Sequence, residues 1–254
     1  MLKICTVYFD GIYTPDYVSK LYRSLKRNSK VPFEFICLSD TDVEADLVLP
    51  LKHNSIKKHW HKLKFFSPQF AYQEQGDEII VMDIDQVIVG NVDELLNHPV
   101  DYGQIVTYKS WWNTDYHDLP INGSFYKFNS GDLNFVWDRF IENPEYWQLF
   151  YYNKGTVHKK YYGEQNYVYQ CMIDHNIDVK LTPGKWLGQY DYDYKKNLDL
   201  QKMYCNKFEA DYMIMGEPHK YIKVINFAGP GKTIHESNEQ WIKDNWYEWK
   251  RRKS

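Results

Sequence analysis

The chain is poor in cysteine, has no long apolar run and carries no large excess of either charge. None of its four cysteines, Cys5, Cys37, Cys171 and Cys205, is paired at CxxC spacing. Cys5 and Cys37 sit in apolar runs that read as buried strands, so reduced, structural thiols are expected, as in a cytosol-like compartment. No segment approaches the roughly 20 apolar residues that a membrane span needs. The opening MLKICTVYFDG lacks a long apolar stretch of the secretory kind, so no signal peptide is expected and the product should be soluble and cytoplasmic. A net charge of −3 gives no global basic field to recruit nucleic acid. Repeats, low-complexity segments and clear linkers are also missing.

What is present is a globular composition of 43% hydrophobic and 26% charged residues over 254 positions. That length suits an α/β domain with a sizeable core. Aromatics reach 18%, with 23 Tyr and 9 Trp. Such rings fill cores, and they can also stack on sugars or bases.

Leu2–Phe9 reads as a buried first strand. Thr14-Pro15-Asp16 opens a helix, with Thr14 as N-cap and Pro15 at the first helical position. Val18, Leu21, Tyr22 and Leu25 then mark one helical face. Phe33–Leu38 is a second strand, Asp46–Leu51 a third, His59–Gln73 a helix interrupted near Pro68, and Ile79–Met82 a further strand. Later, Gly103–Tyr108, Ser124–Phe128, Asp178–Thr182 and Tyr221–Phe227 look like strands. Asp132–Ile141, Glu164–His175 and Glu236–Lys250 look like helices. Strands alternating with helices argue for an α/β fold, Rossmann-like, with a mostly parallel central sheet flanked by helices. Ligands bind beyond the carboxyl ends of such strands.

The segment IIVMDIDQVIVGNVDELL (79–96) places Asp83 and Asp85 at one of those ends. In extended chain, residues two apart face the same side, so the two carboxylates point together while Ile84 points to the core. Paired carboxylates repel unless something positive lies between them. A hard divalent ion, Mg²⁺ or Mn²⁺, binds through one or two carboxylates plus substrate phosphates.

Two families share this local pattern. VMDIDQVIV resembles the motif of haloacid dehalogenase-like phosphatases, in which the first aspartate is the nucleophile and the second the general acid. In that family the motif opens the domain and a later acidic pair completes the metal site. Here it follows a long βαβ region, and no such pair follows an apolar strand. The better match is the GT-A glycosyltransferases, in particular family 8, which the chain resembles over nearly its full length. CTVYFDGIYTPDYVSKLYRSLKRN resembles the nucleotide-binding first strand and helix, FEFICLSD the second strand, HWHKLKFF the segment whose lysine approaches the donor, and IIVMDIDQVIVGNVDEL the DxD segment. INGSFYKF resembles the stretch beside the donor sugar, YYGEQNYVYQ the acidic-Gln segment near the reacting centre, and NFAGPGK the loop that closes on the diphosphate.

The resemblance implies one domain over 1–254. Residues 1–108 would be the nucleotide-sugar-binding half, 109–235 the acceptor and catalytic half, and 236–254 a C-terminal helix with a basic tail. It implies a retaining, hexosyltransferase-type transfer of sugar from a UDP-linked donor to a glycan, lipid or protein acceptor. Asp83, Asp85 and Asn226 would hold Mn²⁺ or Mg²⁺, with Asp83 also serving the ribose. Lys62, Gly229, Gly231 and Lys232 would hold donor and diphosphate, and Tyr8 and Tyr13 the base. Asn122, Glu164 and Gln165 would act near the reacting centre. Asn129, in FNSGD, competes with Asn122 but reads as a turn and helix cap. Lys62, among Lys58, His59, His61 and Lys64, could equally belong to a solvated basic face. The family usually carries a metal-binding histidine where this chain has Asn226, and His235 lies nearby but off-pattern. An amide oxygen ligates a hard cation without charge. That departure keeps open a non-catalytic nucleotide-sugar- or glycan-binding protein. Trp241, Asn245, Trp246 and Trp249 fall near one face of the last helix, followed by Lys250-Arg251-Arg252-Lys253. Packing onto the domain is the favoured reading there, and contact with an anionic membrane surface the other. The stretch Ser110–Pro120 is expected to shape acceptor choice.

Overall fold

Leu2–Val7 (β1) is buried at all six positions, as in a strand covered on both faces. In this computed structural model residues 1–109, 119–158, 163–190, 218, 220–227, 234 and 237–247 are described, without the side chains of 152–158. The elements after β1 are α1 (Asp16–Asn28), β2 (Glu34–Leu38), β3 (Leu47–Leu49), a 3-10 segment (Lys58–Phe66), β4 (Glu78–Met82), β5 (Gln86–Ile88), α2 (Asp93–Leu96), β6 (Gln104–Lys109) and β7 (Ile121–Asn129). They continue as α3 (Phe135–Glu142), α4 (Pro144–His158), α5 (Glu164–Asp174), β8 (Asp178–Leu181), a 3-10 turn (Gly184–Trp186), β9 (Leu187–Gln189), β10 (Val224–Asn226) and α6 (Gln240–Trp246).

Two compact units emerge. The first comprises Met1–Phe9, Phe33–Asp83 and Pro99–Thr182. Its seven-stranded sheet has the order β3-β2-β1-β4-β7-β6-β8. All pairings are parallel except those of β7, which runs antiparallel to β4 and β6. Rings fill much of its core. Phe66 stacks on Phe128 with centroids 4.4 Å apart, and Trp60 on Phe140 at 5.4 Å. Cys5, Cys37 and Cys171 are buried, reduced thiols, and Cys205 lies outside the described residues.

The second unit comprises Asp10–Pro32, Ile84–His98 and the described part of Pro183–Ser254. In it β10 pairs antiparallel with β5 and parallel with β9. Tyr17, Val18, Leu21 and Leu25 form the buried face of α1, and Trp241 and Trp246 that of α6. Tyr17 and Trp246 meet edge to face at 4.9 Å.

Several local expectations shift. Helix α1 starts at Asp16 without a side-chain cap, because the Thr14 hydroxyl turns to the Asp16 carboxylate. The helix expected over His59–Gln73 with a break near Pro68 is a 3-10 segment, Lys58–Phe66, that ends before Pro68. Strand β7 begins at Ile121, so the INGS stretch lies inside it. Helix α4 and the three-residue strands β5 and β9 were not anticipated. Among the described residues, no helix is long and apolar enough to cross a membrane.

Candidate active site

In the first unit, β4 ends at Met82, whose carbonyl accepts from the Thr6 hydroxyl at 2.8 Å. Asp83 follows, and its N–H donates to Ser124 O at 3.1 Å. The pairing with β7 therefore carries one residue past the strand and fixes the Asp83 backbone. The 3-10 segment sends Lys62 to this point. Its Nζ donates to Asp83 Oδ1 at 2.8 Å and to Gly123 O at 2.9 Å, and meets Glu164 Oε1 at 2.6 Å. The side chains of Lys62 and Glu164 are only 4% and 5% exposed, against 34% for Asp83. Burial pushes the Lys62 ammonium pKa down, but Asp83 and then Glu164 outweigh it and hold it well above the usual lysine value.

Glu164 opens α5, where a carboxylate also gains from the helix N-terminus. The Tyr126 hydroxyl donates to its Oε1 at 3.4 Å. Burial first, then the nearby Glu164 and Asp83 charges, pushes that phenol's pKa up, so the group stays a neutral donor. The next residue, Gln165, accepts through Oε1 from the Gly123 N–H at 2.9 Å. This contact needs glycine: a Cβ at position 123 would lie 2.4 Å from the Tyr126 hydroxyl and 2.7 Å from Gln165 Cβ. The Gln165 carbonyl is thus committed to the backbone of β7.

Asn122 lies one residue earlier and is buried. Its Oδ1 accepts from the Ser124 N–H at 3.0 Å, and its backbone carbonyl from the Thr107 hydroxyl at 2.9 Å. Its Nδ2 is buried with no hydrogen-bond partner among the described residues. Such a donor costs stability unless a ligand or water completes it. The competing Asn129 pairs with Glu78 at the amino end of β4, whereas Phe125 pairs with Met82 at the carboxyl end. Only Asn122 is at the end where Asp83 emerges.

In the second unit, the Tyr13 hydroxyl donates to Asp85 Oδ2 at 2.8 Å. The β5–β10 ladder sets Asn226 opposite Gln86, and the Phe227 N–H donates to Asp85 O at 2.9 Å. Asp85 and Asn226, distant in sequence, become neighbours. Asn226 is buried and Asp85 is half-buried. Among the described residues, no three His, Cys, Asp or Glu side chains gather as a ready-made metal cage. Hard oxygens from a half-buried carboxylate and an amide nevertheless suit Mg²⁺ or Mn²⁺, which keep much of their shell for water and phosphate.

The structure thus gathers Lys62, Asp83, Asn122, Glu164 and Gln165 in one unit and Tyr13, Asp85 and Asn226 in the other. Tyr8 belongs to the first unit and is buried, its N–H donating to Leu38 O at 2.9 Å. Gly229, Gly231, Lys232 and His235 lie outside the described residues, as do Trp249, the tail beyond it and residues 110–118. Sequence reasoning did not assign Tyr126 or Gly123. The run of Asn, Gly and Ser at the start of an otherwise aromatic strand was the available signal for close packing there.

No protein-family model matches the sequence, and no curated protein matches it. Solved structures do. The galactosyltransferase LgtC, determined with donor and acceptor sugar analogues, is 12% identical with a TM-score of 0.55, covering 92% of this chain and 90% of that one. Mouse xyloside xylosyltransferase 1 is 11% identical with a TM-score of 0.52, over 91% and 98% of the two chains. The glycosyltransferase GlyE of Streptococcus pneumoniae TIGR4 is 12% identical with a TM-score of 0.53, over 91% of this chain and 55% of its own. The mixed sheet with its flanking helices therefore has the fold of the GT-A glycosyltransferases.

Proposed function

We propose that the protein transfers a sugar from a nucleotide donor, UDP-linked, to a glycan, lipid or protein acceptor, with retention as the family resemblance implies. The observation that carries this reading is the Asp83 carboxylate at the carboxyl end of β4, fixed there by the buried Lys62 ammonium that it shares with Glu164. Breaking the donor's anomeric bond leaves growing negative charge on a diphosphate, and fixed positive groups stabilise it where it develops. Bound Mn²⁺ or Mg²⁺, with Asp83, Asp85 and Asn226 as ligands, would supply positive charge to the diphosphate. Lys62 fixes the carboxylates of Asp83 and Glu164. Tyr13 orients Asp85 through its hydroxyl. The unmatched Asn122 Nδ2 offers a hydrogen bond to a sugar oxygen. Gln165, its carbonyl held by Gly123, serves by position rather than as a nucleophile. Lys232, after Gly229 and Gly231, would close on the diphosphate.

Calorimetric titration of UDP with and without Mn²⁺, on the native chain and on Asp85→Ala, tests the donor claim. Binding that needs both metal and Asp85 is expected. Hydrolysis of a panel of UDP-sugars follows. Donor binding without turnover would leave a nucleotide-sugar-binding protein, the reading that Asn226 favours. Absence of UDP binding under every metal condition removes the proposal.

A further inference from the structure

Glu164 is held on one oxygen by Lys62 and Tyr126, which leaves the question of what fixes the other. His59, the second residue of the 3-10 segment, brings Nε2 to 3.7 Å from Glu164 Oε2. The residue before Glu164 is shaped to permit this. Gly163 has φ +113°, a conformation that side-chain-bearing residues rarely adopt, and a Cβ there would lie 2.7 Å from His59 Nε2. The backbone conformation thus reserves position 163 for glycine, and the imidazole occupies the space that a Cβ there would take. The exposures differ as well: the Glu164 side chain is buried, while that of His59 is 43% exposed.

We propose that His59 is a positioning residue for Glu164: its Nε2–H fixes the second carboxylate oxygen, and Gly163 is glycine so that the ring can reach it. The gap of 3.7 Å is longer than a hydrogen bond, and such contacts tighten when a ligand fills the site. The charged groups facing the ring are Lys58 and Lys62 of its own segment, Glu164 of α5 and Asp83 at the end of β4. Partial burial lowers the imidazole pKa, Glu164 raises it and Lys62 lowers it again, with a net shift downward. A neutral ring at pH 7 donates from one nitrogen and keeps the other as an acceptor. That Glu164 serves a reacting centre rests on the proposed function; the pairing of His59 with Glu164 does not.

Two measurements separate these claims. NMR titration of ¹⁵N-histidine-labelled protein reads the pairing directly. Glu164→Gln removes the charge that raises the His59 pKa, so that value should fall by at least about half a unit. An unchanged value overturns the pairing, whatever the enzyme's activity. Should Glu164→Gln fail to fold, Gly163→Ala gives the second reading: displacing the ring should move the His59 resonances and pKa, and no movement overturns the pairing. In turnover assays, His59→Ala should lower kcat by about tenfold or more with donor KM within about twofold, as a slackened reacting group does. His59→Gln, which keeps a donor nitrogen, should recover most of the loss. Equal losses in both variants, a change in KM alone, or no loss overturns the positioning role. If the native chain binds no nucleotide, the proposed function fails and the titration still decides the pairing.

Discussion

Lys62 carries the largest single consequence at the residue scale. Its ammonium is fully enclosed, and so is the Glu164 carboxylate it meets at 2.6 Å. Removing one member of a buried pair leaves the other uncompensated, which typically destabilises by about 3–5 kcal/mol. Lys62→Met should therefore lower stability by about 3 kcal/mol in urea unfolding, since Asp83, at 34% exposed, retains its own hydration. Adding Glu164→Gln should recover part of that loss, because the stranded charge is gone. A Lys62→Met variant within about 1 kcal/mol of the native chain would show that the ammonium does not neutralise Glu164. Sequence alone left Lys62 between a donor contact and a solvated basic face. Burial divides that basic run: Lys58 is exposed, His59 half-buried, and His61, Lys62 and Lys64 buried. No local pattern announces this, because the partners of Lys62 lie on β4 and α5.

At the scale of elements, the 3-10 segment Lys58–Phe66 sets both His59 and Lys62. Seven of its nine residues are buried, so it lacks the polar face that would mark an amphipathic α-helix. That is why its position was legible and its helix type was not. His61 within it is buried with Nδ1 unpartnered among the described residues, and burial, followed by the Lys64 charge, pushes its pKa down to about 4. A histidine whose folded pKa is depressed binds its proton better when unfolded, at about 6.5. Its stabilising effect is thus present above pH 6.5 and is lost as pH falls toward 4. Urea midpoints followed from pH 7 to pH 4 should fall, and His61→Gln should flatten that slope. An identical slope in both proteins would assign the acid sensitivity elsewhere. The α/β alternation, β1, β2, β4 and the burial of one α1 face were readable because their patterns are local. Helix α4 was missed because aromatic residues surround it with no periodic stripe. Its start was nonetheless written in the chain: Asn143 Oδ1 accepts from the Tyr146 N–H at 3.1 Å, with Pro144 next. Strands β5 and β9 have three residues each, too few to show a period.

At the scale of the molecule, each unit is assembled from three stretches of chain. The division at Asp83/Ile84 falls inside the DxD motif, so its first carboxylate belongs with Lys62 and its second with Tyr13. The motif was legible as an ordered pair of acids, but its two sets of partners arrive from distant segments that no spacing rule connects. This interleaving has a testable consequence for the second unit. A chain ending at Thr182 would keep every stretch of the first unit, together with α1 and β5 of the second. It would lose β10, which pairs with β5, and Trp246, which packs on Tyr17. Val18, Leu21 and Leu25 of α1 would be left beside a strand without its ladder. Exposed apolar surface of this kind drives association and dye binding. The truncated chain should therefore bind more ANS than the full chain and aggregate more readily. A soluble 1–182 fragment that is silent to ANS and unfolds in one cooperative transition would show that α1 and β5 need nothing from the later stretch. The second unit would then not depend on all three of its segments.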